Sequence, residues 1–395
     1  MDDREESHGC SDTGWLSRRK ILATTGIGAL TALSGCASDN PEMTPSETEP
    51  PSSIETRGQT STTLEPETPT QEPTETKSVA ERLEEYGCPK LERDPDIVVA
   101  KDGSGDYETV QAAIDALPSG DFEENQVYIK EGVYKEKLTL DGKLDVTLLG
   151  AGPEKTILTY DDHADKTNSL GNPIGTSGSA SFIISGYDIT LKDLTVRNNA
   201  EPVAQAVAAR VDASRAVFVN CRFVGNQDTL YTRNETTNQY YRDCYIEGDV
   251  DFIFGAATAY FDDCEIFCKS NSGYVTASST EEGKDYGYVF NNCEITGDAP
   301  NNSFYLGRPW KRYAQTVFLN TEMGDHIRPE GYHPWPEPDH PDKTKTAYYA
   351  EYNNSGPGYT PEERVDWVHI LSESEAQPYL SPKTVFGGWD PTACL

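Results

Sequence analysis

Two aspartates in this chain stand at matching places in successive copies of a repeat: Asp228 is seven residues past Cys221, and Asp251 is seven past Cys244. If the copies stack as neighbouring parallel strands, matching positions lie about 5 Å apart. Two carboxylates at that distance do not both ionise freely, so one keeps its proton while the other is an anion. That is an acid beside a nucleophile. Two glutamines accompany the pair: Gln227 precedes Asp228, and Gln205 lies 22 residues before Gln227, about one coil earlier. Amides so placed suit the stabilisation of a developing oxyanion. Leu306-Gly307-Arg308-Pro309-Trp310, about two coils past Asp251, adds a guanidinium to hold Asp251 ionised and oriented, and an indole plate for a sugar ring. Apolar and aromatic residues surround both carboxylates, in Gly225-Asn226-Gln227-Asp228-Thr229-Leu230-Tyr231 and in Gly248-Asp249-Val250-Asp251-Phe252-Ile253-Phe254-Gly255. Singly, each feature has a plain explanation: an outward acidic ladder, Trp310 as packing, Gln205 as a satisfied polar group, Arg308 as a surface ion pair.

The elements that must position these groups show in a pattern of apolar, any, Asp or Asn, small, any, apolar. It occurs in Leu191-Lys192-Asp193-Leu194-Thr195-Val196, Phe218-Val219-Asn220-Cys221-Arg222-Phe223, Tyr241-Arg242-Asp243-Cys244-Tyr245-Ile246, Phe261-Asp262-Asp263-Cys264-Glu265-Ile266, Phe290-Asn291-Asn292-Cys293-Glu294-Ile295 and Phe318-Leu319-Asn320-Thr321-Glu322-Met323. From Leu194 to Thr321 the steps are 27, 23, 20, 29 and 28 residues, the spacing of a solenoid. Each unit is a short strand and a turn, with no helix-length apolar pattern between strands. The spacing predicts an all-β, single-stranded, right-handed parallel β-helix, with Cys221, Cys244, Cys264 and Cys293 as an interior ladder. Thr109 to Leu117, followed by Pro118, is amphipathic and predicts a short N-terminal capping helix over the first coil. After about residue 345 the repeat fades into segments expected along the outside.

At these residues the chain resembles the pectin methylesterase (pectinesterase) family. Gln205-Ala206-Val207-Ala208, Gln227-Asp228-Thr229-Leu230-Tyr231, Val250-Asp251-Phe252-Ile253-Phe254-Gly255 and Leu306-Gly307-Arg308-Pro309-Trp310 look like its four signature blocks, in family order. Asp102-Gly103-Ser104-Gly105, Lys130-Glu131-Gly132-Val133-Tyr134 and Gly175-Thr176-Ser177-Gly178-Ser179-Ala180 are similar to further family segments, and the likeness covers about residues 96 to 370. The resemblance implies hydrolysis of methyl esters of galacturonate in pectin, with methanol released. Asp251 is then the nucleophile that forms an acyl-enzyme, Gln205 and Gln227 are the oxyanion donors, and Asp228 is the acid and then the base. Arg308 orients Asp251, while Trp310, Tyr231, Phe254 and Thr176 contact the sugar. No metal or cofactor is implied, and no His or Cys cluster has ligand spacing. Thr276-Ala277-Ser278-Ser279-Thr280 departs from plant members, which often carry an Arg there, and leaves the preferred methylation pattern open.

Composition narrows the setting. The 395 residues carry 66 acidic against 33 basic side chains, a formal net charge of −33. Such an excess excludes nucleic acid and anionic membrane surfaces as partners and suits work in concentrated salt, a halophilic setting. Residues 1–36 read as a twin-arginine lipoprotein signal: Ser17-Arg18-Arg19-Lys20-Ile21-Leu22, a short apolar stretch, then Leu33-Ser34-Gly35-Cys36, in which Cys36 is the lipidation site. The Thr-, Pro-, Glu- and Ser-rich segment 37–78 is expected to be a disordered stalk, and 79–395 the catalytic domain. The expected product is an extracellular monomer tethered to the cell membrane only by that lipid. Cys88 and Cys394 flank the domain, and whether they pair stays open. Two rivals stand: another β-helix polysaccharide enzyme, since a retaining glycosidase also uses carboxylates about 5 Å apart, and a non-catalytic polysaccharide-binding surface protein. The glutamines and Arg308 favour acyl transfer over the first, and the presence of all five catalytic candidates speaks against the second.

Overall fold

The computed structural model of the chain describes residues 94–120, 124–338 and 340–394. The expected signal with Cys36, the stalk, the boundary at residue 79 and Cys88 lie outside the described residues. The rest is a right-handed parallel β-helix.

Strands pair in parallel with the coils before and after them, which forms three long faces. One face carries Ala209–Val211, Leu230–Thr232, Val250–Gly255, Gly273–Ser278 and Phe304–Gly307; a second carries Ala216–Val219, Asn238–Arg242, Thr258–Asp262, Tyr288–Asn291 and Gln315–Leu319. The third runs from Gly132–Lys135 to Glu322–Met323 as an eight-stranded sheet. Phe182–Lys192 is long enough to serve the first two faces. It turns the corner at Gly186, with φ 139°, where a Cβ would stand 2.1 Å from the Lys143 carbonyl oxygen.

The recurring Asp or Asn makes the turn between the second and third faces. Asp193, Asn220, Asp243, Asp263, Asn292 and Asn320 all take left-handed φ between 48° and 57°. Short polar side chains tolerate that conformation and can bond locally. Asn220 Nδ2 donates to Asp193 Oδ1 at 2.6 Å, and Asn320 Nδ2 to Asn291 Oδ1 at 3.0 Å, so the turns are laced coil to coil. The small residue that follows must fit inside. Cys221, Cys244, Cys264 and Cys293 are buried free thiols, and Cys221 Sγ donates to the Leu191 carbonyl at 3.3 Å. Cys268, also free and buried, pairs in register with Gly297 in the third face.

The first apolar position of the repeat forms the core's spine. Phe218, Tyr241, Phe261, Phe290 and Phe318 stack face to face with ring centroids 4.6, 4.7, 4.4 and 4.5 Å apart. Offset stacking adds about 0.5–1.5 kcal/mol per pair beyond area burial.

The capping helix is present at Val110–Ala116, with Val110, Ala113 and Ile114 buried. Its first free amides are met from the next coil, because Glu136 accepts from Val110 N and Gln111 N at 3.0 Å each. The far end differs from the expected fading at residue 345. Tyr348–Tyr352 and Val368–Ile370 extend the second face by two further strands. Asn353 (φ 50°) repeats the turn and donates to Asn320 Oδ1 at 2.8 Å. Only after these does the chain turn outward, where Leu371, Ala376, Val385 and Phe386 cover Tyr240, Tyr260, Val289 and Val317. The sequence signal faded there because Asn354, rather than a small apolar residue, fills the inward place and bonds Thr321 N and the Phe318 carbonyl.

Candidate active site

The first face holds the candidate residues. Leu230, Tyr231 and Thr232 pair in register with Ile253, Phe254 and Gly255, which makes Asp228 and Asp251 matching positions in adjacent coils. Asp228 N donates to the Val250 carbonyl at 3.1 Å. Both aspartates have left-handed φ, 66° and 51°, and Asp251 sits in a register shift between Val250 and Ile253. A bulge of this kind redirects a side chain that regular alternation would fix. Aspartate tolerates this conformation, as it does in the turns of the repeat.

Both carboxylates are buried. Burial pushes the Asp228 carboxyl well above its ordinary range, and the neighbouring Asp251 charge pushes it further. Asp251 is also raised by burial, but Arg308 opposes that rise. Arg308 Nε donates to Asp251 Oδ1 at 2.8 Å and Nη2 to Oδ2 at 2.5 Å, a bidentate pair in which both oxygens accept. That is the geometry of an ionised carboxylate. One member of the pair is therefore held as an acid and the other as an anion.

Arg308 is itself clamped. Its guanidinium carbon lies 3.7 Å from the Tyr274 ring centroid and 3.8 Å from that of Trp335. Cation–π contacts on both faces fix the plane in which its fork points at Asp251. Tyr274 stacks on Tyr305 at 5.4 Å, and His333 meets both edge-on at 5.6 and 5.3 Å. Trp335 takes φ 46°, and its N donates to His333 Nδ1 at 3.1 Å. Sequence reasoning missed Tyr274, His333 and Trp335. The first lies one coil past Asp251, where Val250 pairs with Tyr274; the other two lie in an irregular segment with no repeat signal.

The remaining candidates converge on the same face. Tyr231 stacks on Phe254 at 4.2 Å, and Trp310 closes the group at 6.5 and 5.9 Å from their rings. Gln205 and Gln227 occupy adjacent coils, with Ala206 N donating to the Gln227 carbonyl at 3.1 Å. Both are half-buried, and among the described residues neither side-chain amide has a hydrogen-bond partner. Thr176 lies in the short helix Gly175–Gly178; that segment is tied to Gln205 through Gly175 N to the Ala164 carbonyl and Ala164 N to the Gln205 carbonyl.

A buried acid–anion pair, free amides and an aromatic wall on a parallel β-helix meet an independent finding: the family model described as Pectinesterase matches residues 96–387. The chain belongs to the pectinesterase family. It is accordingly a carboxylic ester hydrolase. The pectinesterase 31 of Arabidopsis thaliana is 40% identical over 305 residues, which are 75% of this chain and 94% of that relative. A probable pectinesterase/pectinesterase inhibitor of the same plant, number 23, is 38% identical over 74% of this chain, but the match spans only 53% of that relative's length. Among solved structures, the pectin methylesterase from carrot superposes with a TM-score of 0.70 at 33% identity, covering 78% of this chain and 98% of the other. A pectin methylesterase in complex with hexasaccharide VII gives a TM-score of 0.67 at 29% identity, covering 76% and 99%.

Proposed function

We propose that this pectinesterase hydrolyses the methyl esters of galacturonate in pectin through an acyl-enzyme on Asp251. The observation that carries the reading is the bidentate Arg308–Asp251 pair set one coil from an Asp228 that burial and the Asp251 charge hold protonated. Asp251 Oδ attacks the C6 carbonyl carbon, and charge builds on the carbonyl oxygen. The amides of Gln205 and Gln227 donate to that oxyanion. Collapse breaks the bond to the methoxy oxygen, which takes the Asp228 proton and leaves as methanol. Asp228, now anionic, removes a proton from water; the hydroxide adds to the acyl carbon and expels Asp251 as carboxylate. The de-esterified pectin chain leaves with its new carboxyl group, and Asp228 is protonated again. Tyr231, Phe254, Trp310 and Thr176 hold the sugars. A relative bound to a hexasaccharide supports an oligosaccharide-sized cleft.

The mechanism is tested by rapid-quench measurement of methanol on highly methylated pectin, with and without hydroxylamine. An acyl-enzyme gives a methanol burst equal to the enzyme concentration when deacylation is slow, and galacturonyl hydroxamate at no cost to methanol release. A time course with no burst, in which added hydroxylamine raises methanol release in step with hydroxamate, would replace the covalent route with direct attack on the ester.

The N-terminal assignments extend this proposal. A twin-arginine signal over residues 1–36, lipidation at Cys36 and a stalk over 37–78 would place the domain outside the cell, tethered as a monomer beside its polymer; the sequence patterns support this. Mass spectrometry of the membrane-extracted protein checks it, with a diacylglyceryl adduct on Cys36 expected and an unmodified Cys36 excluding the tether.

A further inference from the structure

The face that carries the acid–anion pair does not end at Arg308. One row of outward positions runs from Asp251 along the helix axis: Val250 pairs with Tyr274, Tyr274 with Tyr305, and the bridge from Phe304 to Ile327 puts Arg328 beside Tyr305. Arg328 therefore stands three strand spacings from the nucleophile's coil, about 14 Å. Its backbone is fixed, since Arg328 N donates to the Phe304 carbonyl at 2.8 Å and its own carbonyl accepts from Arg364 Nη1 at 3.1 Å. The guanidinium lies over the Tyr305 ring, 4.8 Å from its centroid. Arg328 Nε is buried without a hydrogen-bond partner, and among the described residues no carboxylate pairs with this side chain.

Most arginines among the described residues answer a carboxylate; Arg328 shares the lack of one only with Arg197, which bonds the Thr159 hydroxyl, and Arg312, and of the three it alone lies in this row. The chain holds two acidic residues for each basic one, and Arg308, Arg364, Arg242, Arg210 and Arg233 all contact carboxylates. Arg328 is half-buried, placed over the Tyr305 ring and left with its fork unused, beside a row whose other members stand next to the reacting centre. Its field reaches that centre's neighbours, acting on both Tyr274 and His333. A planar fork held on an aromatic plate and lacking a partner suits a planar anion brought by a ligand.

We infer that Arg328 is a specificity-determining residue that binds a free galacturonate carboxylate of the same pectin chain, a few sugars from the ester under attack. The inference rests on the esterase reading above for the orientation of the polymer. It makes the enzyme favour chains that already carry de-esterified residues, its own product. In a molecule of net charge −33, one unanswered cation beside the cleft also offsets local repulsion of that polyanion.

The test uses the full-length protein and its Arg328→Gln and Arg328→Lys variants, with highly methylated pectin and base-saponified, partly de-esterified pectin as substrates. Arg328→Gln is expected to raise KM on the de-esterified pectin roughly five- to tenfold, the order of one lost charge-assisted bond, with kcat and the KM on highly methylated pectin unchanged. Arg328→Lys recovers most of the loss. Equal losses on both substrates would show a packing role through Tyr305 and overturn the inference. Calorimetric binding of polygalacturonate reads the subsite without turnover: weaker binding by Arg328→Gln supports it, and equal binding by parent and variant removes it. Absence of methanol from the parent on either pectin would instead strike the esterase reading, while the polygalacturonate result still decides the role of Arg328.

Discussion

Asp228 and Asp251 have the same side chain, the same left-handed backbone and matching places in neighbouring coils, yet their surroundings favour different charges. The difference is Arg308, which binds one of them in a fork and leaves the other to burial and repulsion. Activity should therefore rise with pH as Asp251 ionises and fall as Asp228 loses its proton. Residual methanol release by Asp228→Asn should lack the falling limb, which a pH profile of kcat/KM will read. A stability consequence follows with a fixed sign. The folded-state pKa of Asp228 lies above its unfolded value, so the folded state binds the proton more tightly and loses stability as pH rises through that window. Asp228→Asn should melt higher than the parent, by about a few degrees, with a margin that widens from pH 5 to pH 8. A margin that narrows with rising pH would contradict the assigned ionisation.

Two elements do the positioning: the coil stack and the irregular segment that follows Ile327. The stack was legible in the sequence because each coil repeats one inward aromatic, one left-handed Asp or Asn and one small residue. Those constraints come from the fold's own geometry and recur at each turn. The segment was not legible. Trp335 reaches Arg308 from a stretch with no period, and the sandwich with Tyr274 joins residues far apart in the chain. Only the register of Val250 with Tyr274 brings the two sides together. Trp335→Ala should remove one face of the clamp, worth roughly 0.5–2 kcal/mol. Methanol release should fall about tenfold, and the rising limb of the pH profile should move to higher pH as Arg308 loosens from Asp251. An unchanged profile would make Trp335 a packing residue. In the stack, Phe261→Ala removes the middle of five stacked rings and should cost about 3–5 kcal/mol in denaturant unfolding.

At the scale of the whole molecule, catalysis is set on a strongly acidic body whose substrate becomes more anionic with each turnover. Screening shortens the reach of those charges from about 10 Å at 0.1 M salt to about 3 Å at 1 M. Activity on partly de-esterified pectin should therefore rise with salt. A steady fall with added NaCl would show that self-repulsion and substrate repulsion are not what composition implies. Fold, family and the gathering of all five catalytic candidates on one face were within reach of the sequence because their motifs sit in the periodic part of the chain. Arg328 and the aromatic clamp were not, since they depend on which side chain lacks a partner and which ring covers which cation. Those are properties of the assembled coils. The most direct test of the central claim is methanol release from highly methylated pectin by the full-length protein and by its Asp251→Ala variant at high salt. Methanol from the parent and none above background from a folded variant is the expected result; comparable methanol from both would contradict it.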